Sequence, residues 1–195
     1  MSDIICVTNK NLCTENFYDR LEKIASAHPK AIILREHYMS LAEYILTAET
    51  AMEVCRKYDV PLIPHSFELP ENIMPDAIHL KMDALRSMNG NTGKYRRIGV
   101  SCHSPEEASE AESLGAAYII AGHIFATDCK RGLEPRGLDY LREVCSAVSI
   151  PVYAIGGVNP ENIHSVREQG AAGACVMSGL MTCSDPVKYL KKFST

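Results

Sequence analysis

The sequence predicts an α/β fold, a compact (β/α)8 TIM barrel. Short apolar, β-branched runs recur at residues 3–8, 31–34, 61–63, 77–80, 98–101, 117–121, 151–155 and 173–177, eight in all. Most of the intervals between them hold amphipathic, helix-length patterns, and buried strands alternating with helices mean parallel βαβ units. No linker or composition shift interrupts the series, so residues 1–195 read as a single domain. At 195 residues this is a small barrel, which requires short loops. An open flavodoxin-like sheet is the competing architecture, although it normally uses fewer strands.

The elements follow in order. The first run ends in Val7-Thr8 and the second in Leu34-Arg35-Glu36-His37. Residues 40–58 place Leu41, Ile45, Ala48, Met52 and Cys55 on one helical face, with Glu43, Glu49, Glu53 and Lys57 elsewhere. The third and fourth helical intervals look reduced. Residues 69–76 hold two prolines and carry a turn or two of helix at most, and residues 89–93 are loop-like. Ser104-Pro105-Glu106-Glu107 reads as a helix start with Ser104 as N-cap, and Gly115 suits a left-handed C-cap. Asn159-Pro160-Glu161-Asn162 repeats the device, with Gly170 as the stop, and Ser184-Asp185-Pro186 opens the last helix.

Composition narrows the function classes. Apolar residues make up 46% and charged residues 23%, which is globular and excludes disorder. Twenty Lys plus Arg against 24 Asp plus Glu give a net charge of -4, which argues against a general nucleic-acid or anionic-membrane binder. No apolar run approaches a membrane span, and the first residues lack the basic, apolar pattern of a signal peptide. The eight cysteines include no Cys-x-x-Cys pair, so reduced thiols in the cytoplasm are expected.

In such a barrel the working residues cluster at the C-terminal strand ends, and a phosphate often sits at strands seven and eight. Those ends read Ile155-Gly156-Gly157-Val158 and Val176-Met177-Ser178-Gly179, where glycines let backbone N–H groups approach an anion. A tight turn is the plainer reading of each. His123 falls at the end of the sixth strand and could move a proton near neutral pH. Lys130 and Arg131 lie in a loop with Gly132 and Gly137, which suits a cationic cover over an anion as well as a solvated charge pair. Arg35 suits a carboxylate or phosphate, or a structural pair with Glu36. His65, His79, His103 and His123 fall near ends of successive strands, but without metal-ligand spacing no metal site is expected. Cys129 beside Lys130 reads as passive.

The pattern resembles the thiamin phosphate synthase superfamily over nearly the whole chain. The likeness rests on Val7-Thr8, Leu34-Arg35-Glu36, His79-Leu80, residues 99–104, residues 122–130, Ala154-Ile155-Gly156-Gly157 and Val176-Met177-Ser178-Gly179. It implies the barrel, a thiazole phosphate ligand and a homodimer. Within the superfamily, the synthase joins a pyrimidine diphosphate to thiazole phosphate. The resemblance implies a Mg²⁺-pyrophosphate site there, built on two aspartates after the third and fourth strands. Here those stretches read Pro64-His65-Ser66 and Lys81-Met82-Asp83-Ala84.

The TenI-like thiazole tautomerases resemble the chain more closely in the loop at residues 122–134. That resemblance implies isomerisation of a dihydrothiazole carboxylate phosphate to its aromatic tautomer, with no cofactor and with His123 carrying the proton. Gly156, Gly157, Ser178 and Gly179 would hold the phosphate, Arg35 the carboxylate, and Ser101 and Lys130 would lie beside the ligand. Tautomerase is therefore the expected activity. The alternatives are the Mg-dependent synthase and a non-catalytic regulator that binds thiazole or thiamin phosphate.

Overall fold

The computed structural model describes residues 2–65, 69, 73, 75–88 and 95–194. Its strands are β1 (Ile4–Val7), β2 (Ala31–Leu34), β3 (Leu62–Pro64), β4 (Ala77–Lys81), β5 (Arg97–Cys102), β6 (Tyr118–Gly122), β7 (Val152–Ile155) and β8 (Gly173–Val176). Its α-helices are α1 (Phe17–Ala25), α2 (Leu41–Arg56), α3 (Met82–Ser87), α4 (Pro105–Ser113), α5 (Gly137–Ala147), α6 (Ile163–Glu168), α7 (Ser178–Thr182) and α8 (Pro186–Lys191). The strands form one eight-stranded sheet in the order β3-β2-β1-β8-β7-β6-β5-β4. Sequential strands are neighbours and the first lies beside the last. That is the order of a (β/α)8 barrel, whereas a doubly wound sheet reverses direction partway. The expected residues 69–76 turn and the 89–93 loop lie for the most part outside the described residues.

The chain divides into two compact units, Met1–Asp76 with Val176–Thr195, and Ala77–Cys175. In the first, every residue of β1 and β2 is buried, as a strand covered on both faces must be. Asn16 caps α1 by accepting the Tyr18 N–H at 2.8 Å. Ser40 and Glu43 form a capping box at the start of α2. The face that α2 buries overlaps the expected one at Ala48 and Cys55 but is rotated from it. Tyr44, Thr47, Ala48, Ala51, Val54 and Cys55 are buried, while Leu41 is exposed. Small residues let the helix approach closely, and Tyr44 is covered because its hydroxyl donates to the Leu34 carbonyl at 2.8 Å. The last helix, α8, opens at Pro186 as expected, and Asp185 caps it by accepting the Lys188 N–H. A short helix not foreseen, α7, begins at Ser178, and the buried Arg20 of α1 donates to the carbonyl of Cys183 just beyond it at 2.6 Å.

In the second unit Ser104 caps α4 through the Glu107 N–H, and Gly115 takes the expected left-handed conformation at φ 91°. The fourth interval is short, as expected, with α3 spanning six residues. The helix expected from Pro160 begins only at Ile163. Asn159 accepts the N–H groups of Glu161 and Asn162 and holds residues 160–162 in a turn.

One row across three strands carries the interior. His79 of β4 is in register with Gly99 of β5, and Gly99 with Tyr118 of β6. With no side chain at Gly99, the Tyr118 ring lies across that strand and stacks on His79, with centroids 5.6 Å apart. Tyr153 of β7 meets Tyr118 edge-on at 5.9 Å. Among the described residues no helix is long and apolar enough to cross a membrane.

A Cβ at Gly99 would stand 1.9 Å from Cζ of Tyr118. Gly99→Ala should therefore lower unfolding free energy by about 1–3 kcal/mol in urea titrations, the usual cost of overpacking a core. A variant as stable as the parent would show that the ring is free to move.

Candidate active site

At the strand ends of the first unit, the organising group is a buried carboxylate. Glu36, 1% exposed, accepts the Thr8 hydroxyl at 2.5 Å, the Tyr38 hydroxyl at 2.6 Å and the Lys10 N–H at 3.0 and 3.1 Å. Burial first, and then the carboxylate, hold the Tyr38 phenol above its ordinary range, so it stays a donor. Thr8 in turn accepts the backbone N–H of Arg35 at 3.0 Å. The network fixes the backbone at the end of β2 and leaves the Arg35 side chain out of it. Arg35 has no carboxylate partner among the described residues, so the structural Arg35–Glu36 pairing is not made. A half-buried guanidinium without an internal partner suits an anion. Ser178 and Gly179 open α7, and a Cβ on Gly179 would lie 2.2 Å from the Tyr189 hydroxyl.

At the strand ends of the second unit, His123 follows β6 directly and is half-buried, with Nε2 3.4 Å from the Leu133 carbonyl. Gly156 and Gly157 do more than turn the chain. Both have positive φ, 96° and 66°, and added Cβ atoms would lie 2.3 Å from His123 Cβ and 2.5 Å from the Ala126 carbonyl oxygen. The two glycines thus let the β7 turn press against the His123 loop. The Phe125 N–H donates to Gly156 O at 3.0 Å and closes the contact. The structure brings His123, Gly156 and Gly157 together. Ser101, half-buried on β5, lies 2.8 Å from Nε2 of the buried His79.

Lys130 sits apart from these contacts, exposed on a 3-10 turn at Asp128–Lys130. The loop that carries it is tied at its base, where Arg136 N–H donates to His123 O at 3.0 Å and Gly137 N–H to Ile124 O at 3.1 Å.

A hard divalent cation needs oxygen ligands, commonly one or two carboxylates beside phosphates. The residues that the resemblance sets at such a site do not fit one. Pro64 is buried and has no donor oxygen in its side chain, and Ser66 lies outside the described residues. Asp83 points to solvent, with its side chain 95% exposed, and pairs with Arg86 at 3.1 Å. Arg86 is itself clamped to Glu110 at 2.7 and 2.8 Å. Among the described residues no three or more His, Cys, Asp or Glu side chains converge.

The eight parallel strands and the helices between them define the class, a (β/α)8 barrel. A family model described as thiamine monophosphate synthase matches residues 4–180, and the chain belongs to that family. It is 32% identical over 180 residues to a thiamine-phosphate synthase of Clostridium acetobutylicum, covering 90% of this chain and 85% of that protein. It is 30% identical over 193 residues to the thiamine-phosphate synthase of Fusobacterium nucleatum, covering 96% and 93%. Among solved structures, thiamine phosphate pyrophosphorylase from Pyrococcus furiosus superposes with a TM-score of 0.85 at 27% identity, covering 98% of this chain and 93% of that one.

These relatives overturn the expected tautomerase activity. The likeness to named synthases runs through both units, whereas the isomerase reading leaned on residues 122–134, whose Asp128–Gly132 stretch is exposed. The proton transfer attached to His123 belonged to that isomerisation and falls with it. Sequence reasoning placed Thr8 at the first strand end without giving it a role, and missed Tyr38 and Tyr118. Tyr118 was detectable as the polar-tipped residue of an otherwise aliphatic strand, in register with a glycine.

Two outcomes test this description. Glu36→Gln keeps the shape but gives up one of its acceptor oxygens, so it should cost about 1–3 kcal/mol in urea titrations. Burial holds the thiols of Cys55 and Cys102 up to about 12, so at pH 8 they stay protonated and unreactive. Brief iodoacetamide treatment followed by peptide mass mapping should label the exposed Cys129 first.

Proposed function

We propose that the protein is a transferase that joins a pyrimidine methylene diphosphate to a thiazole phosphate, forming thiamin phosphate and releasing pyrophosphate. The observation that carries this reading is the identity to thiamine-phosphate synthases over nine-tenths or more of the chain. In the reaction the bond from the methylene carbon to the diphosphate oxygen breaks. A bond from that carbon to the thiazole nitrogen forms, and the electron pair leaves with pyrophosphate.

The chain's own work is positioning and charge stabilisation. Arg35 forms a bidentate pair with phosphate oxygens. Backbone N–H groups at Gly156 and Gly157 in the second unit, and at Ser178 and Gly179 in the first, donate to phosphate oxygens. Ser101 donates to a phosphoryl oxygen. His123 and Lys130, on one loop, stabilise charge building on the departing diphosphate. The eight free cysteines support a reducing, cytoplasmic setting.

Purified protein given both substrates should release pyrophosphate and form thiamin phosphate in equal amounts, well above the buffer rate. Arg35→Ala should lower kcat/KM roughly 10–100-fold, the loss of one or two charge-assisted hydrogen bonds. Pyrophosphate release no faster than in buffer would refute the transferase reading.

A further inference from the structure

We propose that Tyr118 and His79 are positioning residues that fix the direction of the Ser101 hydroxyl hydrogen, making Ser101 a hydrogen-bond donor to an anionic phosphoryl oxygen. The three side chains form one line inside the second unit. The Tyr118 hydroxyl is 3.2 Å from His79 Nδ1, and His79 Nε2 is 2.8 Å from Ser101 Oγ.

A neutral imidazole has one donor nitrogen and one acceptor nitrogen, so this line has two possible directions. In one, Nδ1–H donates to the phenol oxygen and Ser101 donates to Nε2. The phenol hydrogen of Tyr118 would then be buried with no acceptor, because His79 is its hydrogen-bond partner among the described residues. An orphaned buried donor is the costlier fault, while an oxygen with an unused lone pair is cheaper. In the other direction the phenol donates to Nδ1, Nε2–H donates to Ser101 Oγ, and every buried donor on the line is satisfied. Burial, which pushes the Tyr118 phenol up, also keeps its proton in place.

The second direction sets the chemistry of Ser101. One of its lone pairs is occupied by His79, so its hydrogen turns away from the imidazole. Ser101 is half-buried at the C-terminal part of β5, and no side-chain or backbone acceptor for its hydroxyl is present among the described residues other than His79. A phosphoryl oxygen takes that hydrogen. In the reverse direction Ser101 would offer only lone pairs and repel an anion. The rings cannot easily reorient, since Tyr118 is stacked on His79 at 28° and held edge-on by Tyr153 at 87°. Gly99 provides the room for this stack.

The ligand's identity rests on the transferase reading, whereas the tautomer does not. The test is therefore in two parts. In ¹⁵N-labelled, ligand-free protein, ring ¹⁵N–¹H correlations of His79, assigned by loss in His79→Gln, should show Nε2–H with a pyridine-type Nδ1. An Nδ1–H tautomer in the parent protein would overturn the proposal with no variant needed.

Isothermal titration with inorganic pyrophosphate should then show about 5–30-fold weaker binding in Tyr118→Phe, with His79 moving to a mixture of tautomers. Ser101→Ala should weaken binding similarly, and the double variant little further, because both act through one hydrogen bond. Tyr118→Phe with both tautomer and affinity unchanged would also overturn it. A parent protein that shows Nε2–H but does not bind pyrophosphate would overturn the phosphoryl ligand and count against the transferase reading. Loss of the tautomer with pyrophosphate binding intact would leave that reading standing.

Discussion

A strand glycine with aromatic rings on its neighbours governs the second unit. A parallel strand buried on both faces ordinarily fills its inward positions with branched side chains. At Gly99 that filling is absent, and the Tyr118 ring occupies the space from the next strand. His79 then has an aromatic face to stack on and a hydroxyl to bond, and Ser101, two residues beyond Gly99 on the same face, has an imidazole to bond. Glycine recurs for the same reason at the end of β7. There Gly156 and Gly157 let backbone meet backbone and set His123 directly against the turn. Interior aromatic packing and strand-end chemistry in this unit are consequences of missing Cβ atoms.

The first unit reaches the same end by the opposite means. Its device is a buried charge, Glu36, surrounded by donors from Thr8, Lys10 and Tyr38. A carboxylate this deeply buried is tolerable only when its lone pairs are met, and once met it locks the segments that meet them. The loop after β1 and the end of β2 are held in one geometry, with Arg35 left without a carboxylate partner among the described residues.

Much of the fold was legible because periodicity and caps are local signals. Ser104, Gly115, Gly170 and Asp185 act where the sequence places them, and the strand runs match the eight strands to within a residue or two. The face of α2 was misread because Leu41 and Met52 look like core by type, while Tyr44 and Thr47 earn burial through a hydrogen bond and close packing that only the fold supplies. The start of α6 slipped because Asn159 closed an Asx turn ahead of the helix. At the candidate site, the strand-end residues were named from the sequence. Their partners were not, since Thr8–Glu36 and Tyr118–His79 join residues 28 and 39 apart in the chain. The activity was misjudged for a related reason. One loop, residues 122–134, outweighed a likeness spread over the whole length.

The chain belongs to the thiamine monophosphate synthase family, and under the proposed transferase activity Arg35 of the first unit and the glycine turn at the end of β7 in the second would each meet phosphate groups. Under that activity Arg35, Ser101 and the backbone N–H groups donate to phosphoryl oxygens. The most direct measurement is a crystal structure of the protein with thiamin phosphate and pyrophosphate bound. The account predicts a phosphoryl oxygen about 2.7 Å from Ser101 Oγ, an ordinary hydroxyl-to-oxygen hydrogen bond, and phosphate lying against Gly156 and Gly157. Ligands bound elsewhere, with Ser101 and the two glycines untouched, would contradict it.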